Sequence, residues 1–307
     1  MRRLATPFLI AALVLLGGTG LITTTASAAS AALPSVTGGF NQVPKITFPK
    51  SAPSKTLQVS YLHRGSGPKV VAGELLVTNY LGQIWGGKVF DSSYSRKQLS
   101  SFPIGVGQVI PGWDKGLVGV PIGSRVVLVV PPAEGYATAG NSSAGITPTD
   151  TLVFVIDVVV AYGKTALAQK NPVVLHTHEG GVSVVATGNS QPTIKIAKKT
   201  STPKTVGFYE LAAGTGPRIT AGLVVLQLVQ DSWAGSVVAS TWTIGSPFGA
   251  NVGITGTPSI FDGLVGLNIG SRVLLDLPEI PATATAAASG PFAVVAEVVL
   301  EPHDGAV

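Results

Sequence analysis

The chain reads "GLVGVPIGSRVVL" from Gly116 to Leu128 and "GLVGLNIGSRVLL" from Gly263 to Leu275. Both stretches combine glycine turns with a run of β-branched and aliphatic residues, which is typical of a turn that leads into a buried strand. A turn and one strand are not stable alone, because a sheet needs several strands to bury an apolar face. Such a close repeat therefore indicates that a whole domain is duplicated.

A second matched pair extends the duplication towards the N-terminus of each copy. "GSGPKVVAG" occupies 65–73, and "GTGPRITAG" occupies 214–222. We therefore predict two repeats, over 36–163 and 182–302. The segment 164–181 between them has no strong period and is predicted to be a linker.

Composition favours strands over helices throughout both repeats. The 307 residues include 38 glycines and 22 prolines, which disfavour long helices, and the apolar runs are rich in Val, Ile, Leu and Thr. In the first repeat the predicted strands are Leu57–Leu62, Glu74–Trp85, Arg125–Val130 and Thr151–Tyr162. In the second they are Thr205–Leu211, Leu223–Trp233, Ser271–Leu277 and Phe292–Leu300.

A few side chains are placed by the strand and helix periods. Alternation puts Leu76, Thr78 and Tyr80 on one face of their strand, and it puts one set of four on a face of the last strand of the repeat: Leu152, Phe154, Ile156 and Val158. The stretch 111–119, "PGWDKGLVG", predicts one short helix that begins near its proline. For any single one of these aromatic residues, a place in an ordinary core is the more expected interpretation.

The N-terminus has the pattern of a secretory signal. Two arginines follow Met1, an apolar run covers 4–16, and "TTTASAA" precedes a cleavage site that we predict after Ala28. The alternative, a retained membrane anchor, needs about 20 apolar residues, and glycines interrupt this run. We expect residues 1–28 to be removed, no membrane span afterwards, and a secreted or envelope-associated protein.

Charge and motif content exclude several classes of function. The net charge of +5 comes without a Lys/Arg stripe, so nucleic-acid binding is not expected. The chain has no cysteine, no nucleophile elbow and no phosphate loop. The pair His176 and His178 lacks a third ligand at suitable spacing, so we predict no metal site and no cofactor.

Several segments of the first repeat together are similar to one known family. "YLGQIWGGKVFDSS", "VIPGWDKGL", "IGSRVVLVVPP", "GYA" and "TLVFVIDVV" follow one another within 70–163. In this order and spacing the chain resembles the FK506-binding family of peptidyl-prolyl isomerases, in particular exported actinobacterial members with two domains. The resemblance implies an α+β fold of two tandem FKBP-like domains, each an antiparallel β-sheet wrapped over one short helix.

The resemblance also implies a set of pocket residues. The catalytic set it gives is Tyr80, Phe90, Asp91, Ile110, Trp113, Tyr136 and Phe154, and the substrate-binding set is Val109, Ile146 and Arg96. Trp113 would form the floor beneath a proline ring, and Asp91 the polar edge. The N–H of Ile110 and the hydroxyl of Tyr136 would hold peptide carbonyls. Ser100 stands where the family often has an aromatic residue, which opens one wall.

The second repeat keeps the turn but not these pocket residues. Alignment on the shared glycines sets Val229 against Tyr80, Ala239 against Phe90, Ser240 against Asp91 and Val294 against Phe154. It sets Ile260 or Phe261 against Trp113, depending on a one-residue gap, and the tyrosine of "GYA" has no counterpart. We therefore expect a degenerate repeat, retained either for stability and spacing or as a module that binds unfolded clients.

The predicted function is peptidyl-prolyl cis-trans isomerisation of exported proteins during folding, with the first repeat active. The expected partners are proline-containing polypeptides that are unfolded or partly folded, together with FK506- or rapamycin-like macrolides. The alternative is a non-catalytic extracytoplasmic chaperone or binding module of the same fold. A structural surface protein without affinity for proline peptides is a third possibility.

Overall fold

The structure is a computed structural model that describes residues 32–166, 175–187, 190–282 and 287–300. The predicted signal segment 1–28 lies outside the described residues. Within the described ranges, no helix is both long and apolar enough to cross a membrane.

The first repeat is one antiparallel sheet that wraps over a short helix. Its elements are β1 (Ser35–Thr37), β2 (Lys45–Thr47), β3 (Gln58–His63), β4 (Leu75–Ile84), β5 (Val89–Ser92), α1 (Ser93–Arg96), β6 (Ser100–Pro103), α2 (Pro111–Leu117), β7 (Arg125–Val130) and β8 (Leu152–Tyr162). The strand order is β3-β7-β8-β4-β5, and β6 also pairs with β4. The predicted strands and the helix α2 are confirmed, whereas the single turn α1 was not predicted.

The inner face of this sheet and α2 enclose the main core. Trp113 and Leu117 of α2 are buried against the alternating residues that the strand period had placed on one face: Leu76, Tyr80, Leu152, Phe154, Ile156 and Val158. The helix lies close to the sheet because residue 112 is glycine. A Cβ there would lie 2.6 Å from Cγ1 of Val130.

The second repeat has the same topology. Its elements are β9 (Leu175–Glu179), β10 (Val182–Ala186), β11 (Thr193–Ile196), β12 (Gly207–Ala212), β13 (Gly222–Ser232), β14 (Val237–Ser240), α3 (Thr241–Ile244), β15 (Phe248–Val252), β16 (Arg272–Leu277) and β17 (Phe292–Leu300). The strand order β12-β16-β17-β13-β14, with β15 beside β13, repeats the first sheet strand for strand. The predicted α+β fold with two tandem FKBP-like domains is confirmed.

The counterpart of α2 is shortened in the second repeat. Asp262–Leu264 forms a single 3₁₀ turn there. The sequence "FDGL" has no residue equivalent to Lys115 of "WDKGL". The deletion leaves too few residues for the two turns that α2 makes.

A small additional sheet covers the outer face of each main sheet. In the first repeat β1 pairs with β2, and Val36, Ile46 and Phe48 pack on buried valines of β7 and β8. In the second repeat β9, β10 and β11 form a three-stranded sheet. Val182 and Val184 of β10 pack on the outer face of the main sheet. The segment 164–181, predicted to be a linker, therefore contains a strand, β9, that belongs to this cover.

The two main sheets contact each other through the ends of their outer faces. One cluster joins Val77 and Val159 of the first repeat to Leu223 of the second. A reciprocal cluster joins Leu75 to Val225 and Val299. Leu223 occupies the position of Leu75, and Val225 that of Val77, so the contact is self-complementary in the manner of a two-fold dimer.

Candidate active site

A cavity of about 440 Å³ opens on the inner side of the first sheet. Its lining comes from β4, β5, β6, β8 and α2, from the loop before α2 and from the loop after β7. The lining residues are Tyr80, Phe90, Asp91, Phe102, Gly107, Gln108, Val109, Ile110, Trp113, Tyr136 and Phe154. The structure thus brings eight of the ten residues of the predicted site into one cavity.

Aromatic rings form the floor and walls of this cavity. Trp113 is 4% exposed, and its ring meets those of Tyr80, Phe102 and Phe154 edge to face, with centroids 5.2–5.3 Å apart. Phe90 meets Phe154 in the same geometry at 5.6 Å. Each edge-to-face pair is worth about 0.5–1.5 kcal/mol beyond the area it buries. The rings therefore hold one another in a rigid apolar site.

The loop before α2 is held by a carboxylate of the helix. Asp114 accepts hydrogen bonds from the N–H groups of Gly105 at 2.6 Å and Gly107 at 2.7 Å. Both glycines have positive φ, 75° and 76°, where other residues are strained. This turn fixes the backbone that carries Val109 and Ile110 into the cavity.

A polar group of three residues forms one edge of the cavity. The hydroxyl of Tyr80 donates to Asp91 Oδ2, and Arg96 Nη1 donates to Asp91 Oδ1. Arg96 Nη2 also donates to the Tyr80 hydroxyl at 3.3 Å and to Ser100 Oγ at 3.1 Å. Burial, with the hydrogen bond to Asp91 as a second cause, raises the pKa of Tyr80 to about 12. The phenol therefore remains a hydrogen-bond donor across the physiological pH range.

Two residues of the predicted site lie outside the cavity lining. Arg96 contacts the cavity only through Tyr80 and Asp91. Ile146 is 4% exposed and packs into the main core beneath the loop that follows Tyr136.

Three lining residues were not predicted. Phe102, Gly107 and Gln108 complete the cavity. Phe102 pairs with Leu76, a residue of the inner face, so the strand period extended to β6 could have found it. Nothing in the sequence singles out Gln108.

Strand pairing corrects the alignment of the second repeat by one residue. The N–H of Tyr80 donates to Ser93 Oγ at 2.8 Å, and the N–H of Leu228 donates to Thr241 Oγ1 at 3.0 Å. Leu228, not Val229, therefore occupies the position of Tyr80. By the same shift Val238 replaces Phe90 and Ala239 replaces Asp91, so those two predicted matches were also wrong. The cause is a one-residue deletion: from the shared glycine to this position the first repeat has eight residues, 73–80, and the second has seven, 222–228.

The remaining counterparts are settled by equivalent hydrogen bonds and pairs. Asp262 accepts from Gly253 N and Ser259 N much as Asp114 does in the first repeat, so Phe261 takes the place of Trp113. Val294 pairs with Leu275 as Phe154 pairs with Leu128, which confirms the predicted match. Ile244 stands where Arg96 does, and it is 69% exposed. None of the three polar groups of the cavity edge is kept.

The aromatic wall is also rearranged in the second repeat. Phe248 pairs with Leu226 at the position of Ser100, and Ala250 pairs with Val224 at the position of Phe102. The ring of Phe248 lies 6.1 Å from that of Phe261. The second repeat thus has a phenylalanine at the position where the first has the serine that binds Arg96.

Comparison with known proteins places this arrangement in a family. The family model described as FKBP-type peptidyl-prolyl cis-trans isomerase matches residues 67–159. The FK506-binding protein of Streptomyces anulatus is 36% identical over 117 residues, which are 38% of this chain and 94% of that protein. The chain spans half the length of "Peptidyl-prolyl cis-trans isomerase FKBP13, chloroplastic" of Arabidopsis thaliana, at 40% identity over 105 residues and 31% of this chain.

One solved structure is also similar in sequence. The crystal structure of AtFKBP13 is 37% identical and covers 36% of this chain and 96% of its own, with a TM-score of 0.32. The Streptomyces protein is matched over nearly its whole length. This chain therefore belongs to the FKBP-type peptidyl-prolyl cis-trans isomerase family.

Proposed function

We propose that this protein accelerates cis-trans isomerisation of X-Pro bonds in exported polypeptides, and that the cavity of the first repeat is the catalytic site. The observation that carries the proposal is the ring cage around Trp113, closed on one edge by the polar group of Tyr80, Asp91 and Arg96. The reaction needs no nucleophile and no cofactor.

The chemistry explains why an aromatic cavity suits this reaction. Rotation about a peptide bond is opposed by amide resonance, with a barrier of about 18–20 kcal/mol. Water that hydrogen-bonds the amide oxygen strengthens that resonance. A cavity that excludes this water and binds the twisted amide better than either planar form lowers the barrier. A thousandfold acceleration requires about 4 kcal/mol of such differential binding.

We assign roles to the residues that line the cavity. Trp113 supports the proline ring from below, and Phe90, Phe154 and Val109 surround it. The hydroxyl of Tyr136 and the N–H of Ile110 hold carbonyl groups of the peptide on either side of the proline. Asp91 and Tyr80 present an ordered polar edge next to the rotating amide.

The same cavity supports binding of macrolides of the FK506 and rapamycin type. The relative of Streptomyces anulatus is named an FK506-binding protein, and the apolar cavity of about 440 Å³ has room for the apolar part of such a ligand. A macrolide would compete with proline peptides for this cavity.

We further propose export and a division of labour between the repeats. The charged start, apolar run and small-residue site of 1–28 support a signal peptide that is cleaved in a secreted or envelope protein. We propose 36–163 and 182–302 as the two domains, with β9 of the segment between them added to the second. With leucine, alanine, isoleucine and phenylalanine at the pocket positions, the second repeat is inactive as an isomerase.

The test is the rate of cis-trans exchange of a short X-Pro peptide, measured by NMR with a substoichiometric amount of the protein that comprises residues 29–307. We expect acceleration by the parent protein, a loss of about tenfold or more for Asp91→Ala, and a loss of about threefold to tenfold for Tyr136→Phe. The matched control Ile244→Ala, in the second repeat, should keep the parent rate.

The alternative function, a binding module or chaperone without turnover, predicts a different outcome. The peptide would bind, but its exchange rate would stay at the uncatalysed value, and proline-limited refolding of a client would not be accelerated. Unchanged exchange in the parent protein would therefore reject the isomerase proposal and favour the binding module.

A further inference from the structure

The short helix α1 connects the polar edge of the cavity to the back of the sheet. It follows β5 directly, and its last residue, Arg96, donates a hydrogen bond to Asp91 at the cavity edge. Ser92 caps the turn by accepting a hydrogen bond from Ser95 N, and Lys97 closes it with φ of 53°. Ser93, at its first position, donates to Asn79 Oδ1 at 3.0 Å. Residues at adjacent positions of one turn thus contact the cavity and the sheet.

Tyr94 extends this turn to a buried ion pair on the opposite side of the sheet. Its hydroxyl donates to Asp157 Oδ2 and accepts from Arg125 Nη2 at 2.9 Å. Arg125 and Asp157 pair at 2.6 Å, and their side chains are 1% and 0% exposed. Burial and the hydrogen bond to Asp157 raise the pKa of Tyr94. The phenol is therefore a fixed donor inside the protein.

The loop between β1 and β2 completes the surroundings of this ion pair. Arg125 donates to the carbonyl groups of Gly38 at 2.7 Å and Gln42 at 2.6 Å, and Asn41 N donates to Asp157 Oδ2 at 2.8 Å. This loop lies outside the region 67–159 that the family model matches. The chain outside the matched region thus supplies partners to a network that ends at the cavity.

The Arg96–Asp91 ion pair at the cavity edge is partly exposed to solvent. The side chains of Arg96 and Asp91 are 44% and 37% exposed. Exposed pairs of this kind contribute little by themselves, because holding two flexible side chains in one geometry costs entropy. An anchored backbone lowers that cost, because it leaves fewer torsions to be ordered.

We propose that Tyr94 is a positioning residue of the isomerase site: it fastens α1 to the buried Arg125–Asp157 pair and so holds Arg96 and Asp91 beside Tyr80. The catalytic part of this inference rests on the function proposed above. The positioning itself does not depend on turnover and can be measured separately.

The second repeat supports this coupling by what it has lost. The position of Tyr94 is taken by Trp242, which packs against the outer face of the second sheet. In the same repeat Ile244 and Ala239 replace Arg96 and Asp91. The buried pair is still present as Arg272 and Glu297. The second repeat therefore lacks both the hydroxyl that contacts the buried acid and the counterpart of the Arg96–Asp91 pair that this hydroxyl would position.

The experiment compares Tyr94→Phe with the matched control Tyr61→Phe, both in the protein that comprises residues 29–307. Tyr61 lies on β3, at the opposite edge of the same sheet from α1. Tyr94→Phe should fold, because Asp157 keeps Arg125 and Asn41 as partners. With ¹³C-labelled tyrosine, we expect the Cζ resonance of Tyr80, assigned with Tyr80→Phe, to shift or broaden in Tyr94→Phe and to be unchanged in Tyr61→Phe.

Turnover supplies the second readout. For an X-Pro peptide we expect Tyr94→Phe to lower kcat/KM about threefold to tenfold, mainly through kcat, and Tyr61→Phe to change it less than about twofold. In an Arg96→Ala background Tyr94→Phe should have no additional effect, because its action passes through Arg96.

Two results would overturn the inference. One is an unchanged Tyr80 resonance in Tyr94→Phe, and the other is an equal further loss of kcat/KM in the Arg96→Ala background. If the parent protein had no turnover, the proposed function would fail while the Tyr80 resonance still tested the positioning. Should Tyr94→Phe not fold, Tyr94→Trp replaces it, because it also removes the hydroxyl and the second repeat carries Trp242 at this position. It should move the same resonance.

Discussion

Arg125 and Arg272 occupy the same position in the two repeats, opposite Asp157 in the first and Glu297 in the second. In the first repeat the arginine and the acid are also bonded to Tyr94, to the loop between β1 and β2, and to each other twice. In the second, the contact described for the arginine is one hydrogen bond to Glu297 Oε2. Among the described residues, these buried charges thus have more partners in the first repeat than in the second.

The two repeats keep the same scaffold, but they differ at the inner face, where the first repeat has its cavity. Strand order, outer cover and the carboxylate turn before the helix are kept in both copies. Every polar group of the cavity edge and the central tryptophan are replaced in the second. Scaffold positions face other core residues, which constrain them wherever the sheet must fold. Cavity positions line open space instead, so packing in the core constrains them less.

The largest expected effect is on stability, when the acid of a buried pair is removed. Asp157→Ala leaves the charge of Arg125 buried without its carboxylate, so we expect a loss of about 3–5 kcal/mol in the free energy of unfolding. Glu297→Ala should cost less, because it removes one described hydrogen bond, whereas Asp157 accepts four. Urea unfolding followed by fluorescence and circular dichroism measures both variants, and an equal or larger loss for Glu297→Ala would contradict the comparison.

The next effect is on turnover, at the floor of the cavity. Trp113→Leu removes the ring that meets Tyr80, Phe102 and Phe154, and we expect the exchange of an X-Pro peptide to slow about thirtyfold to hundredfold, equal to about 2–2.7 kcal/mol. Phe261→Leu makes the matching change in the second repeat and should leave the rate unchanged. A large loss of rate in Phe261→Leu would show that the second repeat takes part in catalysis.

Much of the fold could be predicted from the sequence, because its signals are local. Runs of Val, Ile, Leu and Thr bounded by turn residues located the eight predicted strands to within about two residues, and a proline followed by an amphipathic turn located α2. Residues Tyr80, Phe90, Trp113 and Phe154 could be assigned to one cavity because their motifs keep the spacing of a known family.

Other features could not be predicted, because they depend on contacts distant in the chain. The match of Leu228 to the position of Tyr80 follows from a one-residue deletion after Gly222, and the apolar run itself does not show where the missing residue belongs. β9 has no strong period of its own, and it is a strand because β10 pairs with it. The bond between Tyr94 and Asp157 joins residues 63 positions apart, and no local pattern marks it.

A third prediction concerns alkaline pH and the first repeat. The pKa values of Tyr80 and Tyr162 are raised to about 12, mainly by burial, and that of Tyr94 is raised as well. Unfolded tyrosines ionise near 10, so the unfolded state loses these protons first. The stabilising contribution is complete below about pH 10 and is lost as the pH rises through about 12.

Urea unfolding measured between about pH 9 and pH 11.5 tests this dependence. Lysines titrate in the same range, so the comparison is with Tyr80→Phe, whose stability should fall less steeply above about pH 10. Identical slopes in the parent protein and in Tyr80→Phe would show that the tyrosine does not contribute to the alkaline loss.

The smallest effect is expected in acid and in the second repeat. The N–H groups of Ser259 and Gly253 hold the pKa of Asp262 below its ordinary value of 3.8. The folded state therefore releases this proton more readily than the unfolded state. Its contribution to stability is present above about pH 3.8 and is lost as the pH falls further, through the lowered pKa.

Asp262→Asn removes this titration while it keeps a side-chain carbonyl for one of the two N–H groups. We expect the thermal midpoint of the variant to lie slightly below that of the parent near pH 6 and to approach it near pH 3. Glu279→Gln, a change to an exposed carboxylate in the same repeat, is the control and should leave the difference between the two pH values as in the parent. A constant gap between Asp262→Asn and the parent at both pH values would mean that the turn before the 3₁₀ segment is held by its backbone, and that the carboxylate shared by the two repeats is not what fixes it.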